Sequence, residues 1–259
     1  MTQSDEQVFY ATASALLIID KADHALERVT KVEGLSNVGV SLVKYNKGSQ
    51  TLLIVYDNGV IDLVNDDGIL TLPNIPESNI VLGEKKVLDV LMANDSIAYL
   101  SANFGITTLN LRKGLFPNTV KTPVEVRNVQ VFQNQIFAAT PEGIYNADPA
   151  AGYNLDDFSN WNLLDGAAGF PQVYASQTMV VFDGKLYADV NDSLYVFDGT
   201  AASFVHHLEG FDLTYLTAEG AHLLAGFSCK TGCRGKVLAF NADQTFQQTN
   251  GSCAFYPLY

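Results

Sequence analysis

A short hairpin pattern recurs six times along the sequence, and it restricts the possible folds more than any other feature. Each copy consists of an apolar strand, a turn of small or polar residues, and a second apolar strand. The small residues that begin the second strand are Ala15, Gly59, Gly105, Gly143, Ser193 and Gly235. Their spacings of 44, 46, 38, 50 and 42 residues are typical of β-propeller blades, which repeat about every 40 to 50 residues.

The fourth copy illustrates the hairpin. Residues Ile136–Ala139 have the pattern of a strand, and the turn that follows contains Pro141, whose ring fixes φ, and Gly143, which tolerates a positive φ. Each copy is preceded by one apolar strand and followed by another. We therefore predict an all-β fold, namely a β-propeller of four-stranded antiparallel blades with six readable repeats. This propeller is expected to form a single domain over residues 1–259.

Two segments depart from the regular repeat. The first copy begins at the second strand of a blade, while Cys253–Tyr259 has the pattern of a first strand. That last segment could complete the first blade and remove an exposed sheet edge, or it could begin a seventh blade. In the fourth copy, residues 147–170 form a long insertion, in which Asn154–Trp161 is expected to form a helical turn anchored by Phe158 and Trp161.

The composition is that of an acidic chain with a large core. Hydrophobic residues make up 47% of the 259 residues, charged residues make up 17%, and the formal net charge is −13. This charge disfavours nucleic acid as a partner, because a basic surface is needed to replace condensed counterions. No apolar run approaches the roughly 18 residues of a transmembrane helix. The acidic segment Met1–Gln7 does not resemble a signal peptide.

Three cysteines are too few for a disulfide-based scaffold. A Cys229–Cys233 or a Cys233–Cys253 disulfide would suit an exported protein, and three unpaired thiols are the alternative. The spacing of Cys229 and Cys233 without a second pair, and with no histidine close by, disfavours a zinc site.

Residues with catalytic potential do not form a recognisable motif. The four histidines, at positions 24, 206, 207 and 222, fall in no metal-ligand spacing, and most carboxylates occupy predicted turns. The Asp57–Asn58 and Asn191–Asp192 turns could bind calcium, but the EF-hand pattern is absent. No nucleophile elbow, phosphate-binding loop or dinucleotide fingerprint is present. We therefore predict a protein that is not an enzyme and that needs no cofactor or metal.

What remains is a predicted binding face, formed where the turns between second and third strands meet the loops that enter the next blade. Its candidate residues are Asn58, Asn103, Phe104, Glu142, Asn191, Asp192, Lys230 and Arg234. An exposed Phe104 could stack on a sugar or anchor a partner, or the ring could pack between blades. Together with Lys236, the cations Lys230 and Arg234 could meet a phosphate or carboxylate, or they could lie on a solvated hairpin tip.

Several strings of the sequence resemble known propellers. Val32–Val40 is similar to an element of two-component-regulator propeller repeats. Longer strings resemble the N-terminal propellers of the PorZ family, surface proteins of the type IX secretion system in Bacteroidetes. These strings are Leu52–Leu63, Ala98–Ile106, Ile136–Tyr145 and Leu155–Trp161. The insertion with its Trp161 is the more distinctive part, because the bare repeat motifs are shared by many propellers.

This resemblance implies an exported protein, in the periplasm or at the outer-membrane surface, that serves as a non-catalytic scaffold in an attachment complex. It implies partners among the secretion-system proteins, including a sortase-like protein, and contact with lipopolysaccharide or another glycan. It also implies seven blades and further domains after this chain, a second propeller and a C-terminal sorting domain. The net charge of −13 makes the domain alone a poor binder of an anionic glycan.

The alternative hypothesis is a sensor, the periplasmic propeller of a hybrid two-component regulator that binds an oligosaccharide. The two hypotheses differ in what would follow this chain. A transmembrane helix and a histidine kinase would follow in the sensor, whereas a second propeller and a β-sandwich would follow in the secretion protein. A propeller hydrolase or lyase would require converging Arg, His or Tyr side chains, for which 15 Lys and Arg residues give little support.

Overall fold

Six four-stranded antiparallel sheets contain nearly all of the regular structure in the described part of the chain. The computed structural model describes residues 1–79 and 83–248, and it divides the chain into two compact units, residues 1–125 and residues 126–259. Each unit contains three of the sheets. The fold is therefore the all-β propeller that the repeats predict, with six four-stranded blades. The described residues do not form the seventh blade that the family resemblance implies.

The first unit contains three sheets in which strands pair in chain order. The first sheet consists of β1 (Thr2–Gln3), β2 (Gln7–Ala11), β3 (Leu16–Asp20) and β4 (Leu26–Val29). The second consists of β5 (Val40–Asn46), β6 (Thr51–Tyr56), β7 (Ile61–Asn65) and β8 (Gly68–Leu72). The third consists of β9 (Val87–Met92), β10 (Ile97–Ala102), β11 (Gly105–Asn110) and β12 (Thr119–Lys121).

The second unit repeats this arrangement. The fourth sheet consists of β13 (Asn128–Phe132), β14 (Gln135–Thr140), β15 (Gly143–Ala147) and β16 (Asn162–Leu163). The fifth consists of β17 (Met179–Phe182), β18 (Lys185–Val190), β19 (Ser193–Phe197) and β20 (Ala202–His207). The sixth consists of β21 (Phe211–Glu219), β22 (His222–Cys229), β23 (Lys236–Phe240) and β24 (Phe246–Gln248).

Helices are short in the described residues. The α-helix α1 covers Asn74–Glu77, and two 3-10 turns cover Phe158–Asn160 and Gly166–Ala168. In the ranges that the structure describes, no helix has the length and apolar character needed to span a bilayer.

The first sheet corrects one expectation about the start of the chain. The repeat pattern predicts that the chain begins at the second strand of a blade, and this is wrong. Strand β1 pairs with β2, with Thr2 opposite Phe9, and occupies the first position of the sheet. A strand of two residues is too short to show an alternating pattern in the sequence. The first strand predicted at Cys253–Tyr259 lies outside the described residues.

Two-residue turns join the second and third strands in three of the blades. The residue pairs that close these turns are Ala102–Gly105, Thr140–Gly143 and Val190–Ser193. Asn191 and Asp192 have φ values of 49° and 64°, as a type I′ turn requires. Gly105 has a φ of 132°, and a Cβ at this position would lie 2.0 Å from the carbonyl oxygen of Val120. Backbone geometry therefore explains the glycine at position 105 of the repeat, and Gly59 and Gly143 likewise have positive φ values.

Apolar side chains between neighbouring sheets form the core of each unit. Leu53 and Leu100, from the second and third sheets, are fully buried in one cluster of the first unit. In the second unit, Ile144 and Leu186 from the fourth and fifth sheets are also fully buried in one cluster. Burying a side chain of this size contributes roughly 1.5–3 kcal/mol. The sheets are thus held together mainly by the alternate residues that point towards the adjacent sheet.

The insertion in the fourth blade is anchored as predicted. The 3-10 turn at Phe158–Asn160 leads into Trp161, which is buried and donates a hydrogen bond from Nε1 to the carbonyl oxygen of Leu155 over 3.0 Å. The Phe158 ring packs beside Trp161 and Tyr145, with ring centroids 5.8 Å and 4.8 Å away. The aromatic contacts hold the insertion against β15.

Candidate functional site

The turns between the second and third strands are tied to the segment that enters the same blade. In four blades the backbone N–H of the first turn residue donates to a carbonyl of that segment, at 2.8–3.1 Å. The donor and acceptor residues are Asp57 and Gly39, Asn103 and Lys86, Asn191 and Ala175, and Lys230 and Gly210. In the fourth blade Pro141 occupies the corresponding position and has no N–H to donate. In these four blades, the backbone at the predicted binding residues is therefore held in place by hydrogen bonds.

The side chains of Asn103 and Asn191 reinforce this connection. The Asn103 Oδ1 accepts from the backbone N–H of Lys86 at 2.9 Å, and its Nδ2 donates to the carbonyl of Glu84 at 3.0 Å. The Asn191 Oδ1 accepts from the backbone N–H of Ala175 at 2.9 Å. Both amides thus have a structural role within their own blades, which the sequence pattern does not reveal.

The other predicted residues of the first unit lie in different environments. Asn58 is exposed, and its Oδ1 accepts only a local bond from the backbone N–H of Val60 at 3.1 Å. It borders a shallow depression of about 280 Å³ together with Pro76 and Lys85. The ring of Phe104 is partly buried and packs against the core cluster between the second and third sheets. Because the ring packs against the core, less of its surface is accessible for contact with a sugar or a partner protein.

Glu142, on the fourth blade, is exposed, and its backbone N–H donates to the Thr140 hydroxyl at 3.1 Å. Its charge adds to the effect of burial in raising the pKa of Tyr145. Arg234, on the sixth blade, is also exposed. The nearby Lys236 instead lies over the ring of Phe211, with its Nζ 4.7 Å from the centroid, in a cation–π contact.

Two of the predicted residues, Asp192 and Lys230, come together in the second unit. The Lys230 Nζ lies 2.7 Å from Oδ2 of Asp192 and 3.0 Å from Oδ1 of Asp212. The lysine side chain is 45% exposed, so the group is accessible to a partner. The hydrogen bonds that the Lys230 ammonium donates to both carboxylates, with the bond to Asp192 having the larger effect, raise the pKa of Lys230. We call Asp192, Asp212 and Lys230 the Lys230 cluster.

Asp189 lies beneath this cluster and is almost completely buried. Its carboxylate accepts backbone N–H bonds from Gln177 at 3.0 Å and from Asp192 at 2.9 Å. Burial raises the pKa of Asp189 to about 7, and the charge of Asp192 adds to this effect, whereas the two N–H bonds and Arg127 oppose it. The sequence signal for this site is a carboxylate between apolar residues near the end of β18, whose only other charged residue is Lys185.

A disulfide restrains the loop that carries Lys230. The structure joins Cys229 to Cys233, and the closed ring includes Lys230, Thr231 and Gly232. A second restraint is the bond from the backbone N–H of Lys230 to Gly210. The ammonium group therefore extends from a loop whose backbone is fixed at both ends. Cys253, the other possible partner, lies outside the described residues.

A second buried carboxylate, Asp62, has a structural role in the first unit. It accepts hydrogen bonds from the hydroxyl groups of Tyr56, Ser36 and Thr71 at 2.6, 2.6 and 2.8 Å, and from the backbone N–H of Ser36 at 3.0 Å. Burial first, and the bond to Asp62 second, raise the pKa of Tyr56. The two bonds from Ser36 tie the loop before β5 to this carboxylate, and that loop contains most of the string Val32–Val40.

His206 and His207 have packing and local polar contacts. Within residues 1–79 and 83–248, no group of three or more His, Cys, Asp or Glu side chains is arranged to hold a metal ion. The His206 ring packs against Phe227, Phe240 and Phe246, and burial lowers its pKa. The His207 Nδ1 lies 3.1 Å from the Ser193 hydroxyl.

Comparisons with known proteins show similarity to the N-terminal propeller of PorZ. The model of the N-terminal β-propeller domain of PorZ, from the type IX secretion system, matches residues 8–162, which is more than half of the chain. The structure of PorZ from Porphyromonas gingivalis is similar with a TM-score of 0.77 and 17% identity, over 97% of this chain and 32% of that protein. This chain thus spans about a third of the length of that PorZ. No curated protein is significantly similar to the chain in sequence.

Two other solved structures are similar in fold. One is an extracellular domain assigned to a hybrid two-component system of B. thetaiotaomicron, with a TM-score of 0.63 and 11% identity over 83% of this chain and 28% of that chain. The other is BamB from Moraxella catarrhalis, with a TM-score of 0.61 and 14% identity over 98% and 76% of the two chains. At these identities the likeness concerns the fold alone.

Proposed function

This chain belongs to the family of PorZ N-terminal β-propeller domains, and from that membership we propose that it is a non-catalytic protein-interaction module of a type IX secretion attachment complex. The solved PorZ of Porphyromonas gingivalis is described as an essential bacterial surface component of that system. The proposed location is accordingly outside the cytoplasm, in the periplasm or at the outer-membrane surface. The proposed partners are other secretion-system proteins, including a sortase-like protein.

The Lys230 cluster is the structural observation that supports an interaction role for this module. Asp192, Asp212 and Lys230 have side chains that are 24%, 40% and 45% exposed, and they stand on backbone that is held by hydrogen bonds and a disulfide. Charged groups held in place before binding lose little conformational freedom when a partner docks. Their mixed signs also favour one orientation of the partner over others.

The chemistry of Asp189 supports a role without catalysis. A general acid or base must reach the reacting group of a substrate, whereas both carboxylate oxygens of Asp189 accept backbone N–H bonds inside the blade. Its raised pKa follows from burial. We propose that Asp189 supports the Asp192 turn, whose backbone N–H it accepts, and that it takes no part in a reaction.

Contact with lipopolysaccharide or another glycan is a secondary part of the proposal. The formal charge of −13 repels anionic groups over most of the surface. A neutral sugar could still bind beside Asn58, where an amide borders the depression of about 280 Å³. We propose that any anionic glycan is bound mainly by other parts of a longer protein.

A crosslinking experiment in cells tests the main proposal. A photoreactive amino acid is placed at Thr231, which is exposed inside the disulfide ring, in the full-length protein. The expected product is a crosslink to a secretion-system component, identified by mass spectrometry. The same probe at Lys113, an exposed residue of the first unit, is the control and should give no such product. Equal yields at both positions would contradict a partner site at the Lys230 cluster.

A sensor of oligosaccharides is the second candidate, and the likeness to the extracellular domain assigned to a hybrid two-component system favours it. A glycan array distinguishes the two functions. Tight binding of a neutral oligosaccharide, combined with no crosslink to a secretion-system component, would support the sensor. Crosslinking without a tight glycan would support the interaction module.

A further inference from the structure

A cleft of about 570 Å³ opens between the first two sheets of the first unit. Its walls are apolar side chains from both sheets, including Leu16, Ile18 and Val29 on one side and Leu52, Val64 and Ile69 on the other. The lining also includes Phe9 and Tyr45, whose rings stack with centroids 5.9 Å apart. The volume lies within the range of about 300–1,000 Å³ that is usual for ligand sites.

The cleft reflects incomplete packing on one face of the second sheet. On the face towards the third sheet, Leu53, Val55 and Leu63 are at most 2% exposed. On the face towards the first sheet, Leu52 and Ile54 are also buried, whereas Tyr45 and Val64 pack against the core but are only partly buried. Covering the partly buried residues of this wall, together with Ile69, with another apolar group would lower the free energy.

Acidic residues surround the opening of the cleft. Asp5, Glu6 and Asp66 are exposed residues of the lining, while Lys47 is held by Asp5, with its Nζ 2.7 Å from Oδ2. Lys21 also lies nearby, because its Nζ donates to the carbonyl of Ser4, a lining residue, over 2.6 Å. The three carboxylates of the lining thus face two cations, Lys21 and Lys47, which leaves the opening with a small net negative charge. An occupant with positive charge next to an apolar group would complement both parts of the site.

The outer edge of the second sheet borders the same cleft. Strand β8 is the outermost strand of that sheet, and its neighbouring residues Ile69 and Leu70 are 45% and 47% exposed. Ile69 lines the cleft, whereas Leu70, as the next residue in a strand, points to the opposite face. The edge of β8 can offer backbone donors and acceptors to an extended chain.

We propose that this cleft binds an extended peptide segment of a partner protein, with one large apolar side chain between the two sheets and Lys or Arg beside Glu6 and Asp66. The site is formed entirely by the first unit and does not depend on the Lys230 cluster. Affinity would come from the covered apolar surface, and selection for basic flanks would come from the two carboxylates. Such a segment would give the chain a second contact with its partners.

Isothermal titration with synthetic peptides tests this proposal on the full-length protein that carries the chain. The probe is an acetylated nine-residue peptide with a central Trp between paired Lys residues. We expect it to bind at least about tenfold more tightly than the same peptide with Glu for Lys, or with Ala for Trp. Its affinity should fall at high salt because the carboxylates at the opening are exposed.

Paired variants locate the binding. Ile69→Asp should weaken binding of the Lys–Trp peptide about tenfold or more, whereas Leu70→Asp, on the opposite face of the same strand, should leave it unchanged. Glu6→Lys with Asp66→Lys changes only exposed groups and should also weaken binding without affecting the fold. The proposal is overturned if the Lys–Trp peptide does not bind, if it binds no better than the Glu peptide, or if Leu70→Asp weakens binding as much as Ile69→Asp.

Discussion

Lys230 and Asp192 join the central turns of two successive blades through a 2.7 Å contact between Nζ and Oδ2. They are 38 residues apart in sequence, and only the repeat brings their turns to corresponding positions in the two sheets. An exposed ion pair of this kind contributes little to stability. Its main effect is to hold the two side chains in one orientation, because each of the two residues is also fixed through its own backbone N–H.

The disulfide should stabilise the loop that carries Lys230. Replacing both cysteines, Cys229→Ser with Cys233→Ser, is expected to lower the free energy of unfolding by roughly 2 kcal/mol, because the unfolded chain is no longer constrained by the short ring. Urea unfolding followed by fluorescence measures this change. Reduction of the natural protein should have the same effect and should not affect the double variant. Unchanged stability in both experiments would mean that the ring does not restrain the loop.

The raised pKa of Asp189 predicts a specific pH dependence. Because this pKa, about 7, lies above that of an unfolded aspartate, the folded protein binds more protons than the unfolded chain between about pH 4 and pH 7. The contribution of Asp189 to stability is therefore fully present below about pH 4 and is lost as the pH rises through about 7. We therefore expect the Asp189 contribution to the free energy of unfolding to decrease as the pH rises from about 4 to above 7, by on the order of a few kcal/mol.

The variant Asp189→Asn isolates that contribution. It removes the titrating group and weakens one of the two accepted N–H bonds, a loss that does not vary with pH. The variant should therefore be less stable than the natural protein at pH 4 and should gain relative stability towards pH 8. A difference in unfolding free energy that stays constant over this range would contradict the raised pKa.

The hydroxyl of Tyr56 should be important for stability. Tyr56→Phe removes one of the donors to the buried Asp62 carboxylate and is expected to cost roughly 1.5–3 kcal/mol. Tyr187 provides the matched control, because its buried hydroxyl has no hydrogen-bond partner among the described residues. Tyr187→Phe should be neutral or slightly stabilising. Equal losses in the two variants, measured by urea unfolding, would show that the bond to Asp62 is not the cause.

Two asparagines at equivalent turns should differ in their effect on stability. Asn103→Ala removes bonds to Lys86 and Glu84 and is expected to cost about 1–2 kcal/mol. Asn58→Ala removes one local bond at an exposed turn and should change stability by no more than about 0.5 kcal/mol. Thermal unfolding compares the two. A larger loss for Asn58→Ala would contradict the structural role assigned to Asn103.

The sequence predicted the blades well because a hairpin is a local structure. Turn residues such as Gly105 and Gly143 can be recognised from neighbours only a few positions away. The role of Asn103 could not be predicted, because its partners precede it by 17 and 19 residues. The same holds for Asp62, whose donor Ser36 is 26 residues away. Of the predicted binding residues, the structure brings Asp192 and Lys230 together and packs Phe104 against the core.

The central claim is that partners recognise the Lys230 cluster of a non-catalytic module, and a titration tests it most directly. The sortase-like partner is titrated into the full-length protein carrying either Lys230→Glu or the matched exposed change Lys113→Glu. We predict affinity at least about tenfold weaker for Lys230→Glu, because its charge reversal places three carboxylates together. Lys113→Glu should bind like the natural protein. Equal affinities for all three proteins would contradict the claim.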